Sequence, residues 1–220
     1  MTTVIEPRTR PLPADLLYGR LLATAAQRAS VRSLDGTLEP LPLERWLGTP
    51  DAADLALTAL AEPPVIDLGC GPGRHLAALR ETGKHGLGLD LSPVAVSIAR
   101  RRGAQAIHGD VFGSVPGAGG YLTALLLDGN VGIGGAPEVL LRRTRELLAP
   151  GGTALVELDP PGRPTFATRI RLEAHGEVSE WFAWARVGVD GIGALAAQTG
   201  FERAGLLALE ERWIAVLRRP

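Results

Sequence analysis

From Pro64 to Leu158 short apolar runs alternate with segments of helical spacing, and this alternation restricts the fold more than any other feature of the 220 residues. The runs 65–68, 86–89, 104–107, 121–127 and 153–158 have the length of buried strands and are punctuated by Gly, Pro or Asp. Between them, 74–82, 93–101 and 137–148 repeat apolar residues at three- and four-residue steps, as amphipathic helices do. Strand–helix alternation gives a parallel sheet with right-handed crossovers and helices on both faces. Such a sheet binds ligands beyond the carboxyl ends of its strands.

The flanks follow other patterns. Residues 1–13 read as a loose arm broken by Pro7, Pro11 and Pro13, and 14–30 as an amphipathic helix carrying Leu16, Leu17, Leu21, Leu22 and Ala25, able to cover a pocket. After a turn-rich stretch at 34–42, a helix starts at Pro50-Asp51 and stops at Pro63-Pro64. Residues 1–62 are therefore expected to form an arm and helical cap packed on a core of 63–220, one domain overall. Beyond the fifth strand, 167–172 and 178–187 read as a hairpin turning at His175-Gly176, inserted at about 166–188. A helix over 192–199 ends at Gly200, and strands at 204–209 and 213–217 close the chain. The expected fold is α/β, a doubly wound, mostly parallel seven-stranded sheet whose last strand is antiparallel.

Charge nearly balances, and Lys84 is the only lysine among 23 basic residues, so no basic tract suggests nucleic acid or an anionic membrane as partner. The arm lacks the apolar run of a signal sequence, and no apolar stretch is long enough to span a bilayer. The single cysteine, Cys70, rules out an intramolecular disulfide and multi-cysteine metal sites. A cytoplasmic setting and no bound metal are the expectations.

The run Val65-Ile66-Asp67-Leu68-Gly69-Cys70-Gly71-Pro72-Gly73 sets glycines at alternate positions between strand and helix, where a tight turn must let a ligand approach the backbone. Arg74 and His75 follow the third glycine directly, unlike the Gly-x-Gly-x-x-Gly spacing of dinucleotide sites. The next strand ends in Asp90, about 20 residues on, whose carboxylate suits two ribose hydroxyls. The third ends in Ile107-His108-Gly109-Asp110-Val111, the fourth in Leu127-Asp128-Gly129-Asn130, and Leu148-Ala149-Pro150-Gly151-Gly152 precedes the fifth. Together these motifs resemble those of class I S-adenosylmethionine-dependent methyltransferases, over about Pro64 to Leu158. The resemblance implies a Rossmann-like core, S-adenosylmethionine as cofactor and S-adenosylhomocysteine as product. It implies that Gly69, Cys70, Gly71 and Gly73 pack on the methionine part and that Asp67 orients its amino group. Asp90 would take the ribose with Leu91 beside it, Gly109, Asp110 and Val111 the adenine, and Asp128 would face the methyl group.

Displacement at a sulfonium methyl depends on holding a nucleophile in line and excluding water more than on acid–base groups. Asp128 and Asn130, on the polar break before the glycine-rich 132–135, are the candidate catalytic residues, although Asp-Gly-Asn equally suits a plain turn. His75 and His108 read as packing or solvent-exposed groups. Acceptor specificity is expected from what the common core lacks: Tyr18, the Arg45-Trp46 pair, and the hairpin bearing Arg169, Trp181, Phe182 and Trp184. On a single strand Phe182 and Trp184 share one face and Trp181 takes the other. These residues point to O- or N-methylation of a small acceptor of aromatic or acidic character, the acidic option resting on Arg163, Arg169 and Arg171. The chain would act as monomer or homodimer. A non-catalytic module binding S-adenosylmethionine or S-adenosylhomocysteine, or an aminopropyl transferase-like enzyme, would carry the same motifs.

Overall fold

The computed structural model describes residues 10–26 and 28–220; the first nine residues of the expected arm lie outside these. Helix α1 (Ala14–Thr24) buries Leu17, Leu21 and Leu22 and stops at Ala25, in the left-handed region at φ 45°. It is shorter than the helix expected over 14–30, because Ser30 already belongs to a strand. Strands β1 (Ser30–Ser33) and β2 (Leu38–Pro40) form an antiparallel hairpin where only turns were expected. Its partner supplies the reason: β1 pairs with residues 170–173, far along the chain, so no local pattern reveals it.

Helices α2 (Leu43–Leu47) and α3 (Ala52–Ala59) follow. Asp51 caps α3, its side chain accepting from Asp54 N at 2.7 Å while the Asp54 carboxylate accepts from Asp51 N at 3.1 Å. Then come β3 (Val65–Leu68), α4 (Arg74–Glu81), β4 (Gly86–Asp90), α5 (Pro93–Arg101), β5 (Gln105–His108) and β6 (Tyr121–Leu126). Ser92 caps α5, with Pro93 in its first turn. A 3-10 segment, Asn130–Gly135, leads into α6 (Pro137–Leu147) and β7 (Leu148–Leu158). Pro150-Gly151-Gly152, expected to precede the strand, lies inside β7, and the register shift between Tyr121 and Thr123 absorbs the extra residues.

The inserted hairpin is β8 (Phe166–Ala174), β9 (Glu177–Val178) and β10 (Phe182–Arg186), so the expected second strand over 178–187 is interrupted at 179–181. Helix α7 (Val189–Gln198) and strands β11 (Glu202–Leu209) and β12 (Arg212–Arg218) complete the chain. The main sheet runs β11-β12-β7-β6-β3-β4-β5; β12 is antiparallel to β7, and β7, β6, β3, β4 and β5 are mutually parallel. This is the doubly wound α/β sheet with an antiparallel closing strand.

Alternation along the strands divides the interior. Ile66, Leu68, Ala124 and Leu126 face one layer with Leu140, Leu141 and Ile192, while Val65, Leu125 and Leu127 face the other with Leu57, Leu79 and Val96. A third apolar cluster joins Leu17, Leu21 and Leu22 of α1 to Ala95 and Ile98 of α5 and to Leu172 of β8. It fastens a second antiparallel sheet, ordered β10-β8-β1-β2, over the carboxyl edge of the first. The cap is thus helix and sheet together. Strand β10 lies so close to the 3-10 segment that a Cβ on Gly132 would sit 2.1 Å from the Ala185 carbonyl oxygen.

Candidate active site

A cleft of about 820 Å³ opens between the carboxyl ends of β3, β4, β5 and β6 on one side and α1, α2 and the second sheet on the other. At its floor the chain leaves β3 through Gly69, Gly71 and Gly73, at φ 76°, 53° and 85°, a region that side chains strain to enter. A Cβ on Gly71 would lie 3.2 Å from the Tyr18 hydroxyl oxygen, so a side chain there would crowd the phenol that covers the turn. Cys70 turns away, packed against Gly88, and burial raises its thiol pKa so that it stays protonated. Asp90 accepts from Gly71 N and Ser92 N, each at 2.8 Å, through different oxygens, leaving lone pairs on both. Burial raises its pKa against the pull of those two N–H groups. Farther along, Asp110 is exposed and accepts from Phe112 N at 3.0 Å, Val111 is buried, and Gly109 packs on Leu89. Leu91 and Phe112 stand 58% and 40% exposed at this end, apolar surface that a flat ring can cover.

Asp67 is 1% exposed, and neither carboxylate oxygen has a hydrogen-bond partner among the described residues. Burial, reinforced by Asp128 and Asp90, lifts its pKa to about 6 against the pull of His75 and Arg74.

Asp128 and Asn130 occupy the end of β6 as expected, and their polar atoms are engaged by the protein. Both Asp128 oxygens accept from Arg74 Nη2, at 2.8 and 2.7 Å, and its backbone N–H donates to Glu157 at 2.7 Å. Burial would raise its pKa, but His75, Arg74 and Arg212 outweigh that and hold it below the usual carboxylate range. The Asn130 amide donates to the Leu68 and Gly69 carbonyls at 2.9 and 2.8 Å, bracing the glycine turn.

Behind Asp128 lies a buried ionic cluster that local sequence did not reveal. Fully buried Asp54 pairs with Arg74 and, at 2.7 Å, with Arg212, which also binds Glu157 at 3.0 and 2.8 Å. His75 Nε2 sits 3.3 Å from Asp54 Oδ1 and 3.9 Å from Asp128 Oδ2. Its members come from α3, α4, β7 and β12 and the end of β6; the one sequence hint was Arg74-His75 in the first turn of a helix, where the helix dipole disfavours positive charge.

At the acceptor end Tyr18, Trp46 and Trp184 line the cleft, and Phe182 joins them. Tyr18 meets Trp46 edge to face at 6.0 Å, and Phe182 meets Trp184 likewise at 6.2 Å. Trp181 and Arg169 lie elsewhere: the Trp181 ring stacks under the Arg171 guanidinium at 5.0 Å, and exposed Arg169 donates to the Trp181 carbonyl at 2.7 Å. The break in pairing at 179–181 carries Trp181 off the cleft face. Arg171 also binds Glu173, so the arginines behind an acidic acceptor are outside the cleft or already paired. A different arginine faces the cleft, Arg186, held by Asp159 at 2.8 and 2.9 Å and by Glu39 at 2.9 Å. No local pattern marks this triad, since β10, the end of β7 and β2 meet only in the folded chain.

Comparison with known proteins agrees with this architecture. Residues 65–152 match the family model described as methyltransferase domain. The chain is 28% identical over 166 residues to an uncharacterized protein of Mycobacterium tuberculosis, an alignment covering 71% of this chain and 56% of that one. It thus spans little more than half the length of that relative. A SAM-dependent methyltransferase from Bacteroides fragilis, solved with S-adenosyl-L-homocysteine, superposes with a TM-score of 0.75 at 23% identity, over 95% of this chain and 97% of the other. The Burkholderia thailandensis 1,6-didemethyltoxoflavin-N1-methyltransferase, with bound 1,6-didemethyltoxoflavin and S-adenosylhomocysteine, has a TM-score of 0.59 at 18% identity, covering 98% and 94%. Residues 65–152 are thus similar to a methyltransferase domain, and the sheet that carries them has the Rossmann-like fold of these solved structures.

Proposed function

We propose that this chain binds S-adenosylmethionine over the 69–73 turn and transfers its methyl group to an oxygen or nitrogen of a small organic acceptor. The carrying observation is that one cleft gathers residues of all four strand-end motifs, Gly69 to Pro72, Asp90, Gly109 to Val111 and Asp128 to Asn130, and, facing them, an apolar wall contributed by a separate sheet. The residues present suit the cofactor. Gly71 keeps a Cβ from crowding the space under the Tyr18 hydroxyl, and buried Asp67, without a hydrogen-bond partner among the described residues, suits an ammonium group. Asp90 keeps lone pairs for ribose hydroxyls, and Asp110, the Val111 N–H, Leu91 and Phe112 suit an adenine ring. When bound, the cofactor supplies an electrophilic methyl on a sulfonium. The chain supplies position and dryness: Tyr18 and the second sheet cover the turn, Asn130 fixes its shape, and Asp128, neutralised by Arg74, shapes the transfer site without serving as a strong base.

Solved structures of this fold holding S-adenosylhomocysteine, one of them with a small acceptor as well, support the reading. Calorimetry should show micromolar or tighter binding of S-adenosylmethionine and S-adenosylhomocysteine and none of NADH, and mass spectrometry should then show a methyl gain on an acceptor. Failure to bind either sulfur compound would overturn the proposal. Binding without turnover of any acceptor would favour a non-catalytic module.

A further inference from the structure

The charges and rings lining the cleft select among acceptors. Seven carboxylates reach it, Asp15, Glu39, Asp90, Asp110, Asp128, Glu157 and Asp159, against three guanidinium groups that line it, Arg45, Arg74 and Arg186, and a fourth, Arg212, that binds Glu157 from behind. None of the three is a free anion site: Arg74 is spent on Asp54 and Asp128, Arg186 is gripped by Asp159 and Glu39, and Arg45 lies 3.7 Å from Asp51 and 3.8 Å from Asp128. Glu39 gives only Oε2 to Arg186, and Oε1 has no partner among the described residues. Five of the chain's ten aromatic residues also line this cleft: Tyr18, Trp46, Phe112, Phe182 and Trp184. Carboxylates around aromatic faces attract a cation and penalise a carboxylate ligand, because ring quadrupoles and negative charge act in the same sense.

We propose, on the footing of the methyl transfer above, that the acceptor is an amine, protonated when it enters, on an apolar body that rests against Phe182 and Trp184. Glu39 receives the ammonium N–H and takes one proton. The freed nitrogen lone pair forms the new N–C bond while the pair of the C–S bond stays on sulfur, so the product leaves as the methylated ammonium and the thioether.

The test uses the full chain saturated with S-adenosylhomocysteine, which first establishes cofactor binding separately. Calorimetry at low salt then compares three matched pairs: 2-phenylethylamine with 3-phenylpropanoate, tryptamine with indole-3-propanoate, and 2-cyclohexylethylamine with 3-cyclohexylpropanoate. The amines should bind at least tenfold more tightly, and Glu39→Gln should cut that preference by threefold or more with S-adenosylhomocysteine affinity unchanged. Equal affinities, a preference for carboxylates, or no binding of either member would overturn the inference while cofactor binding still stood. A preference that survives Glu39→Gln intact would remove Glu39 from the role.

Discussion

At Asp67 a carboxylate is buried without a partner among the described residues, and its consequences run in two directions. Its pKa is raised by burial from 3.8 to about 6, so the folded chain holds a proton there that the unfolded chain releases first. Stability is therefore lost as pH rises from 4 to 6, by roughly 1.4 kcal/mol for each pH step of one, and the penalty is complete above 6. Asp67→Asn should raise the melting temperature at pH 8, read by calorimetric scanning. If Asp67 receives the cofactor's ammonium, S-adenosylhomocysteine should bind the native chain more weakly as pH falls through 6, whereas Asp67→Asn should bind weakly and without that dependence. Asn130 makes an opposite trade: Asn130→Ala frees two carbonyls that brace the turn, each hydrogen bond contributing about 1 kcal/mol. Its cofactor dissociation constant should rise by about tenfold, with a smaller loss of thermal stability; unchanged affinity would detach it from the turn's shape. Asp67, Asp90 and Asp110 were legible in sequence because each stands at a fixed offset from a strand end. The engagement of Asp128 by Arg74 was not, since their contact spans 54 positions.

Among elements, the second sheet is the least legible part. Strand β1 is four residues of mixed polarity, and its pairing reaches β8 across the whole core. One buried contact clamps the two, Arg32 binding Glu173 at 2.6 and 3.1 Å with both side chains under a tenth exposed. Arg171 still binds Glu173 when Arg32 is removed, so the loss should fall below the ~3–5 kcal/mol of a wholly uncompensated buried charge. Arg32→Ala should therefore speed amide exchange in 30–33 and 170–173 and weaken acceptor binding more than cofactor binding. The cofactor floor rests on the first sheet, whose central strands β3 and β6 were recognisable from length and apolar character because they are buried on both faces, while edge strand β5 exposes Gln105 and His108. Uniform loss of exchange protection would show instead that the two sheets unfold as one unit.

For the molecule as a whole, opposing groups set the response to acid. Asp54, Asp128 and Glu173 have pKa values below the usual range, where the charges and hydrogen bonds of neighbours outweigh burial, so their contribution is present above about pH 4 and lost as pH falls through their folded values. Asp67 contributes in the other sense between 4 and 6. Chemical denaturation should accordingly find greatest stability near pH 4–5, with a decline towards pH 6 and a steep fall on the acid side; stability still rising from pH 6 to 8 would contradict the assignment. The glycine turn, the order of parallel strands and the three acidic strand ends are local: short-range pattern and backbone freedom specify them, and with them the class of cofactor the fold suits. The cleft's far wall, the Asp54–Arg74–Arg212 cluster and the Glu39–Arg186–Asp159 triad join segments tens to more than a hundred residues apart. Which charges cancel and which remain facing the acceptor depends on distance in space, and such distances exist only once the main sheet has brought β12 to α3 and α4 and β1 has paired with β8, carrying β2 and Glu39 to Arg186.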